Sequence, residues 1–87
     1  MLTIADYFAE WCGPCKVMEP VMEAIAKEYA GRVMIEKIDV DREQEKASSF
    51  GIQSIPTLVF MKDGKEVDRV VGAQSKDSIE RLLIKHA

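Results

Sequence analysis

The only two cysteines of the chain, Cys12 and Cys15, are separated by two residues in the hexapeptide WCGPCK (residues 11–16). One helical turn between them brings two sulfur atoms within bonding distance, which suits a disulfide that forms and breaks reversibly. A strand-like segment precedes the pair and a helical pattern follows it, so Cys12 is predicted at a helix N-terminus. Unpaired backbone N–H groups and the helix dipole favour negative charge there, and the thiolate is the reactive form of cysteine.

Two other roles for such a pair are a structural disulfide and half of a zinc site. A bridge that closes so short a loop removes little entropy from the unfolded chain, so it stabilises the fold only weakly. Zinc takes four ligands, and His86, near the far end of the sequence, is the only further soft candidate. A C-x-x-C pair beside a βαβ pattern therefore favours redox chemistry, with no bound metal.

Composition restricts the class of protein. The 87 residues, 47% of them hydrophobic and 31% charged, predict one domain spanning residues 1–87. The net charge of −3 argues against nucleic acid as a partner. No apolar run approaches a membrane span, and the start lacks the pattern of a secretory signal. Because no cysteine lies outside the motif, the predicted compartment is the reducing cytoplasm.

The elements that must position the cysteines follow from hydrophobic periodicity, which predicts the order β-α-β-α-β-β-α. Strands are predicted at residues 2–9, 33–40, 57–61 and 66–71, and a short helix at 42–50. The first strand is apolar on both faces, which is typical of a central strand that is covered on both sides.

The helix after the cysteines is predicted to be amphipathic. Its apolar line is predicted to contain Val17, Val21, Ile25 and Tyr29, with Met18 and Met22 beside it, and its solvent face Glu19, Glu23 and Lys27. Asp41 is a predicted cap for the short second helix, and Ser75 is the predicted cap of the last one.

The element order and the motif together resemble the thioredoxin family over nearly the whole chain. The matching positions are Asp6, residues 9–16, Pro20, Lys37, residues 39–41, Gly51, Ile52, residues 55–57, Gly64 and Gly72. The resemblance implies an α/β, thioredoxin-like fold with a four-stranded mixed sheet flanked by helices. Strand 33–40 is expected outermost, followed by 2–9, 57–61 and 66–71. The N-terminal strand and helix that are usual in the family are missing, so the sequence resembles either a natural short form or a truncated member of the family.

Four residues are predicted to carry the chemistry. Cys12 is the predicted nucleophile, and Cys15, one turn further inside and less exposed, is the predicted resolving thiol. Asp6 lies in mid-strand among apolar residues, where burial should raise the pKa of its carboxyl and make it the acceptor of the Cys15 proton. Lys37 on the neighbouring strand is its predicted partner. The alternatives are a carboxylate at a frayed strand end and an ordinary edge-strand lysine.

A substrate-binding surface is predicted around the cysteines. The resemblance implies that the Ile55–Pro56 bond is cis and faces them, whereas a trans proline at a strand start is the commoner alternative. A cis bond would turn the backbone groups of Ile55 toward an extended substrate. The predicted surface comprises Trp11, Gly13, Pro14, Ile55, Pro56, Gly72 and Ala73.

The leading functional hypothesis is a protein disulfide oxidoreductase that carries electrons from a reductase to oxidised protein substrates, with no bound cofactor. One alternative is a glutaredoxin-like enzyme that uses glutathione, although no pocket for the tripeptide's carboxylates is evident. Another is a non-catalytic binding module, which the presence of both cysteines together with Asp6 and Pro56 disfavours. Charges on strand 33–40, Glu36 and Lys37 among them, favour a monomer.

Overall fold

The computed structural model describes residues 1–87 and contains four strands and three helices. In chain order the elements are β1 (Leu2–Phe8), α1 (Gly13–Glu28), β2 (Val33–Asp39), α2 (Gln44–Ser49), β3 (Thr57–Lys62), β4 (Lys65–Val71) and α3 (Lys76–His86). The predicted order is confirmed, and each strand differs from its predicted bounds by a single residue. None of the helices combines the length and apolar composition that crossing a membrane requires.

The four strands form one sheet in the order β2-β1-β3-β4. Strand β1 runs parallel to β2 and antiparallel to β3, and β3 and β4 form an antiparallel hairpin. This mixed sheet and its strand order confirm the prediction. In β1, Asp6 is paired with Lys37 of β2 on one side and with Leu58 of β3 on the other.

Strand β1 is apolar on both faces because helices cover both. The core between the sheet and helices α1 and α3 contains Leu2, Ile4, Met18, Met22, Ile25, Val33, Leu58, Phe60, Ile79 and Leu83. The face toward α2 contains Ala5, Tyr7, Ile38, Ala47 and Val59. Side chains alternate along a strand, so Asp6 shares the face of Ile4 and lies on the α1 side of the sheet.

The face that α1 buries is the predicted one except at Val17. Its buried residues are Cys15, Met18, Met22 and Ile25. Alternating steps of three and four residues keep these side chains on one face, whereas uniform steps of four wind around the helix. The prediction that Val17 packs inward is therefore wrong, since Val17 is 68% exposed.

Helix α2 begins later than predicted and has no side-chain cap. Its N-terminal capping position is Glu43, whose side chain makes no capping hydrogen bond, and Ala47 is its one buried residue. Asp41 is thus wrong as a predicted cap, because its carboxylate accepts a hydrogen bond from Trp11 instead. The cap predicted at Ser75 is confirmed by its hydroxyl, which accepts the Ser78 N–H at 3.1 Å.

Candidate active site

Cys12 and Cys15 form a disulfide where α1 begins. Cys12 is the N-cap, in extended backbone, and Gly13 and Pro14 occupy the exposed first turn. The two cysteine Cα atoms are 5.3 Å apart, a separation normal for disulfides. The carbonyl of Ala9 accepts the Cys12 N–H at 3.2 Å, so the end of β1 and the start of α1 are held together. This junction positions both sulfur atoms.

The two cysteines differ in hydrogen bonding rather than in exposure. Cys12 is 4% exposed and Cys15 is 6% exposed, so the predicted lower exposure of Cys15 is wrong. Both side chains belong to one small buried cluster with Ala9, which Ile55 covers. The Sγ atom of Cys12 alone accepts a backbone N–H, that of Cys15, at 3.2 Å. This bond, at a helix N-terminus, favours Cys12 as the thiolate once the disulfide opens.

Asp6 is a buried carboxyl group, as the sequence predicts. It is 5% exposed, and this burial raises its pKa from 3.8 to about 6. The positive charge of Lys37 opposes the rise, and the negative charge of Glu19 adds to it. The alternative of a frayed strand end is wrong, because Asp6 is paired with strands on both sides. A carboxyl with such a pKa accepts and releases a proton near neutral pH.

Lys37 lies beside Asp6 in the sheet but forms no salt bridge with it. Its ammonium nitrogen lies 4.7 Å from the centroid of the Phe8 ring, within the range of a cation–π contact. From there its charge lowers the pKa of Asp6 without direct contact. The predicted partnership is therefore electrostatic and acts across a gap.

Trp11 is 72% exposed and lies immediately before the disulfide. Its indole Nε1 donates to Oδ2 of Asp41 at 2.8 Å, which fixes the ring against the segment that follows β2. A cleft of about 210 Å³ opens beside the ring, lined by Trp11, Val40, Ile52, Gln53, Ser54 and Ile55. Because Ile55 also packs on the cysteine cluster, the cleft adjoins the disulfide.

The rest of the predicted substrate surface comes from the segments that flank β3 and β4. The Ile55–Pro56 bond is cis, as predicted. The N–H of Gly72 donates to the carbonyl of Pro56 at 2.8 Å, which ties the end of β4 to this segment. Gly72 and Ala73 are not among the residues that line the cleft beside Trp11. Gly72 and Ala73 can therefore contribute only to the surface around this cleft.

The structure contains no group of three or more His, Cys, Asp or Glu side chains that could hold a metal ion. His86, the further soft ligand considered from the sequence, lies on α3 with its Nε2 3.0 Å from Oδ2 of Asp68.

The family follows from comparison with known proteins. Residues 1–85 match the thioredoxin family. The chain belongs to this family. A thioredoxin of Chlamydia muridarum is 53% identical over 85 residues, which make up 98% of this chain and 82% of that protein. A thioredoxin of Staphylococcus saprophyticus is 45% identical over 85 residues, with the same shares of the two chains.

Solved thioredoxin structures agree with this assignment. A thioredoxin of Nicotiana alata is 49% identical and superposes with a TM-score of 0.92, covering 98% of this chain and 72% of that one. A thioredoxin of Fasciola hepatica is 43% identical with a TM-score of 0.92, covering 99% of this chain and 81% of that one. The predicted thioredoxin-like fold is confirmed.

Thioredoxins are thiol–disulfide oxidoreductases, and this chain carries the paired cysteines of that activity. The predicted enzyme class is therefore confirmed. It agrees with the geometry, since the pair lies at a helix N-terminus beside an open cleft.

Two charged residues near the thioredoxin site were not identified as functional from the sequence. Asp41, predicted as a cap, binds Trp11 from thirty positions away, and such a distant pairing has no local signal. Glu19, predicted only as part of the solvent face, acts on Asp6. A signal for Glu19 does exist, since it follows the inward-facing Cys15 by four residues, about one helical turn.

Proposed function

We propose that the chain reduces disulfide bonds in other proteins and is reduced again by a separate reductase. The observation that carries this proposal is the hydrogen bond from the Cys15 N–H to Cys12 Sγ at the start of α1. It stabilises a thiolate beside the cleft at Trp11. The dithiol itself carries two electrons, so the proposed activity needs no bound cofactor. The proposed compartment is a reducing cytoplasm, since both cysteines serve the motif.

The reaction consists of two successive thiol–disulfide exchanges. First, the Cys12 thiolate attacks one sulfur of the substrate disulfide, which forms a mixed disulfide and expels the other substrate sulfur as a thiolate. Cys15 then passes its proton to Asp6, and the Cys15 thiolate attacks Sγ of Cys12. The Cys12–Cys15 bond forms as the mixed disulfide breaks, and both departing thiolates take up protons. Two electrons have then moved from the dithiol to the substrate.

Asp6 is the proposed proton acceptor because its pKa, raised by burial to about 6, lies between its ordinary value and that of a thiol. At neutral pH the group is mainly ionised and able to accept a proton. Lys37, the proposed partner, favours that ionised form from its place on β2. After the exchange, protonated Asp6 loses its proton again to solvent.

The proposed substrate surface extends from the exposed first turn of α1 across the cleft to the end of β4. Its proposed members with accessible surface are Trp11, Gly13, Pro14, Ile55, Gly72 and Ala73, whereas the side chain of Pro56 is fully buried, so its proposed part is to set the backbone of Ile55. Ile55 lines the cleft and packs on the cysteine cluster, which supports the proposal that its backbone pairs with an extended substrate segment. The glycines and Ala73 have little or no side chain, which leaves room for a folded protein to approach.

Insulin reduction with alternative electron donors tests the proposed function. We expect the chain to accelerate precipitation of the insulin B chain when NADPH and a thioredoxin reductase supply electrons. Glutathione with glutathione reductase is expected to support a much slower reaction, because no site for the tripeptide is evident. The matched control is the double variant Cys12→Ser/Cys15→Ser, which should have no activity with either donor. Equal or faster turnover with glutathione would favour the glutaredoxin-like alternative, and no turnover with either donor or with dithiothreitol would favour a binding module.

We also propose that the chain is a monomer. On the outermost strand, Glu36 pairs with Lys46 of α2 at 3.2 Å, and Lys37 lies over Phe8. Charges on an open edge discourage pairing with a second chain. Sedimentation velocity at micromolar to high-micromolar concentration is expected to show one species with the mass of one chain. A stable dimer that dissociates in the variant Ile35→Lys would instead identify β2 as an interface.

A further inference from the structure

A narrow groove lies between α1 and the outermost strand β2, on the face of the sheet that carries Asp6. Its volume is about 200 Å³, and it is lined by Glu19, Met22, Glu23, Ala26, Ile35 and Lys37. A space of this size holds several water molecules. Glu19 on the helix and Lys37 on the strand place opposite charges on the two walls of the groove.

The carboxyl group of Asp6 is close to solvent although the residue is buried. Neither carboxyl oxygen of Asp6 accepts a hydrogen bond from the protein. Every side-chain oxygen atom that is completely buried in the structure does have a hydrogen-bond partner. Both oxygens therefore retain some accessible surface, even though the residue as a whole is only 5% exposed. A proton on Asp6 can thus exchange with water.

The charged groups that face Asp6 come from two of the surrounding elements. Strand β2 contributes Lys37, its register partner, and α1 contributes Glu19, one turn beyond the cysteine pair. On the other side, β3 contributes Leu58, which has no charge. Burial has the largest effect on the pKa of Asp6, while Lys37 lowers that pKa and Glu19 raises it. Glu23, on the same wall of the groove, is not among the groups that act on Asp6.

We propose that Glu19 is a positioning residue for the resolving step: it lies on the α1 wall of the groove, opposite Lys37, and its negative charge offsets the charge of Lys37 beside Asp6 while Asp6 takes the Cys15 proton. The inference rests on the proposed role of Asp6 as proton acceptor. In the step, the proton moves from Cys15 Sγ to an Asp6 oxygen, the Cys12–Cys15 bond forms and the substrate thiolate leaves.

The consequence of removing Glu19 follows from electrostatics. Lys37 then acts on Asp6 unopposed, so the carboxyl ionises at lower pH and its conjugate base is weaker. In a variant without Glu19, the rate of the resolving step should therefore begin to rise at a lower pH than in the wild type. Its plateau rate at high pH should be lower than that of the wild type. From a unit charge acting across a partly hydrated gap, we expect a downward shift of about half a pH unit.

The first measurement is the Asp6 titration itself, followed by carboxyl ¹³C NMR in the oxidised protein. Glu19→Gln is expected to move the midpoint downward by about half a pH unit, and Glu19→Lys by about twice as much. Glu23→Gln is the matched control, since it removes the same charge from the same wall and should shift the midpoint far less. Both positions are exposed, so the variants are expected to fold.

The second measurement is the pH profile of the resolving step. The reduced protein is mixed with the chromogenic disulfide dithiobisnitrobenzoate, which releases one thiolate on attack by Cys12 and a second on resolution by Cys15. In Glu19→Gln the profile of the second release should shift in parallel with the Asp6 midpoint, while the first release is unchanged. In an Asp6→Asn background, Glu19→Gln should have no further effect.

Each result has a distinct meaning. Parallel shifts in Glu19→Gln, absent in Glu23→Gln, support the proposal. An unmoved Asp6 midpoint, or equal shifts in both variants, overturns the coupling between Glu19 and Asp6 and leaves the proposed function intact. A shifted midpoint with an unchanged second release overturns the role of Asp6 as proton acceptor, and with it the role of Glu19 in resolution.

Discussion

Cys12→Ser is expected to abolish disulfide reduction, whereas Cys15→Ser is expected to capture protein substrates as stable mixed disulfides on Cys12. The serine in the first variant leaves no thiolate at the start of α1, where the Cys15 N–H and the helix dipole stabilise one. The second variant retains the attacking thiol but lacks the one that releases the substrate. Mass spectrometry of each variant after incubation with oxidised insulin measures the adducts.

Comparison of the two variants also tests whether hydrogen bonding or solvent exposure determines which cysteine attacks the substrate. Because Cys12 and Cys15 are buried to nearly the same extent, exposure alone would let either thiol capture a substrate. The hydrogen bond to Cys12 Sγ predicts capture by Cys12 only. If Cys15 in the Cys12→Ser variant forms an adduct as fast as Cys12 does in the Cys15→Ser variant, the assignment of Cys12 as the attacking thiol is wrong.

Asp6→Asn is expected to stabilise the oxidised protein at neutral pH and to have almost no effect on stability near pH 4. Burial raises the pKa of Asp6 from 3.8 to about 6, so the folded state binds this proton more tightly than the unfolded state does. The wild-type stability therefore decreases as the pH rises from about 4 through about 6. A shift of this size corresponds to at most about 3 kcal/mol, which the variant should regain above pH 6.

Denaturant unfolding followed by circular dichroism, at pH 4 and pH 8, tests this expectation. Glu23→Gln is the control, because it removes an exposed carboxylate from the same region of the protein. A stability difference between wild type and Asp6→Asn that is independent of pH would contradict the raised pKa of Asp6.

The same substitution should slow the resolving step at pH 7 by about a hundredfold, since a positioned base of this kind contributes on the order of 10² or more. It should also remove the dependence of that step on a group titrating near pH 6. The second thiolate release from dithiobisnitrobenzoate measures both effects. Equal rates of wild type and variant from pH 6 to pH 9 would remove Asp6 from the mechanism.

The arrangement of the strands could be predicted from the sequence because each strand carries a local signal. Strand β1 is apolar on both faces, the turn at residues 62–65 joins a hairpin, and the C-x-x-C motif marks the start of α1. The inward face of α1 was predicted less well. Val17 and Met18 are adjacent apolar residues, and it is Met18, three positions after the buried Cys15, that packs in the core, while Val17 is exposed.

The parts of the site that sequence patterns missed depend on contacts between distant segments. The hydrogen bond between Trp11 and Asp41 needs the loop before α1 and the loop after β2 to meet at one edge of the sheet. Both cysteines lie in a buried cluster on which Phe8, Val40 and Ile55 pack, and two of these residues, Val40 and Ile55, are distant from the motif in sequence. Neither feature is encoded in the spacing of nearby residues.

The weak attachment of α2 has a consequence for where the fold opens locally. This six-residue helix lacks a side-chain cap and buries only Ala47, whereas α1 buries four residues against the sheet. Segments with so few buried contacts open locally at a lower free energy than the rest of a fold, and their amides exchange with solvent sooner. Asp41, which accepts the Trp11 indole N–H, lies between β2 and α2, and its own N–H donates to Oδ1 of Asp39 at 2.9 Å. We therefore expect amide exchange to be faster in α2 than in α1, while the tryptophan wall of the cleft and the cysteine pair remain in place.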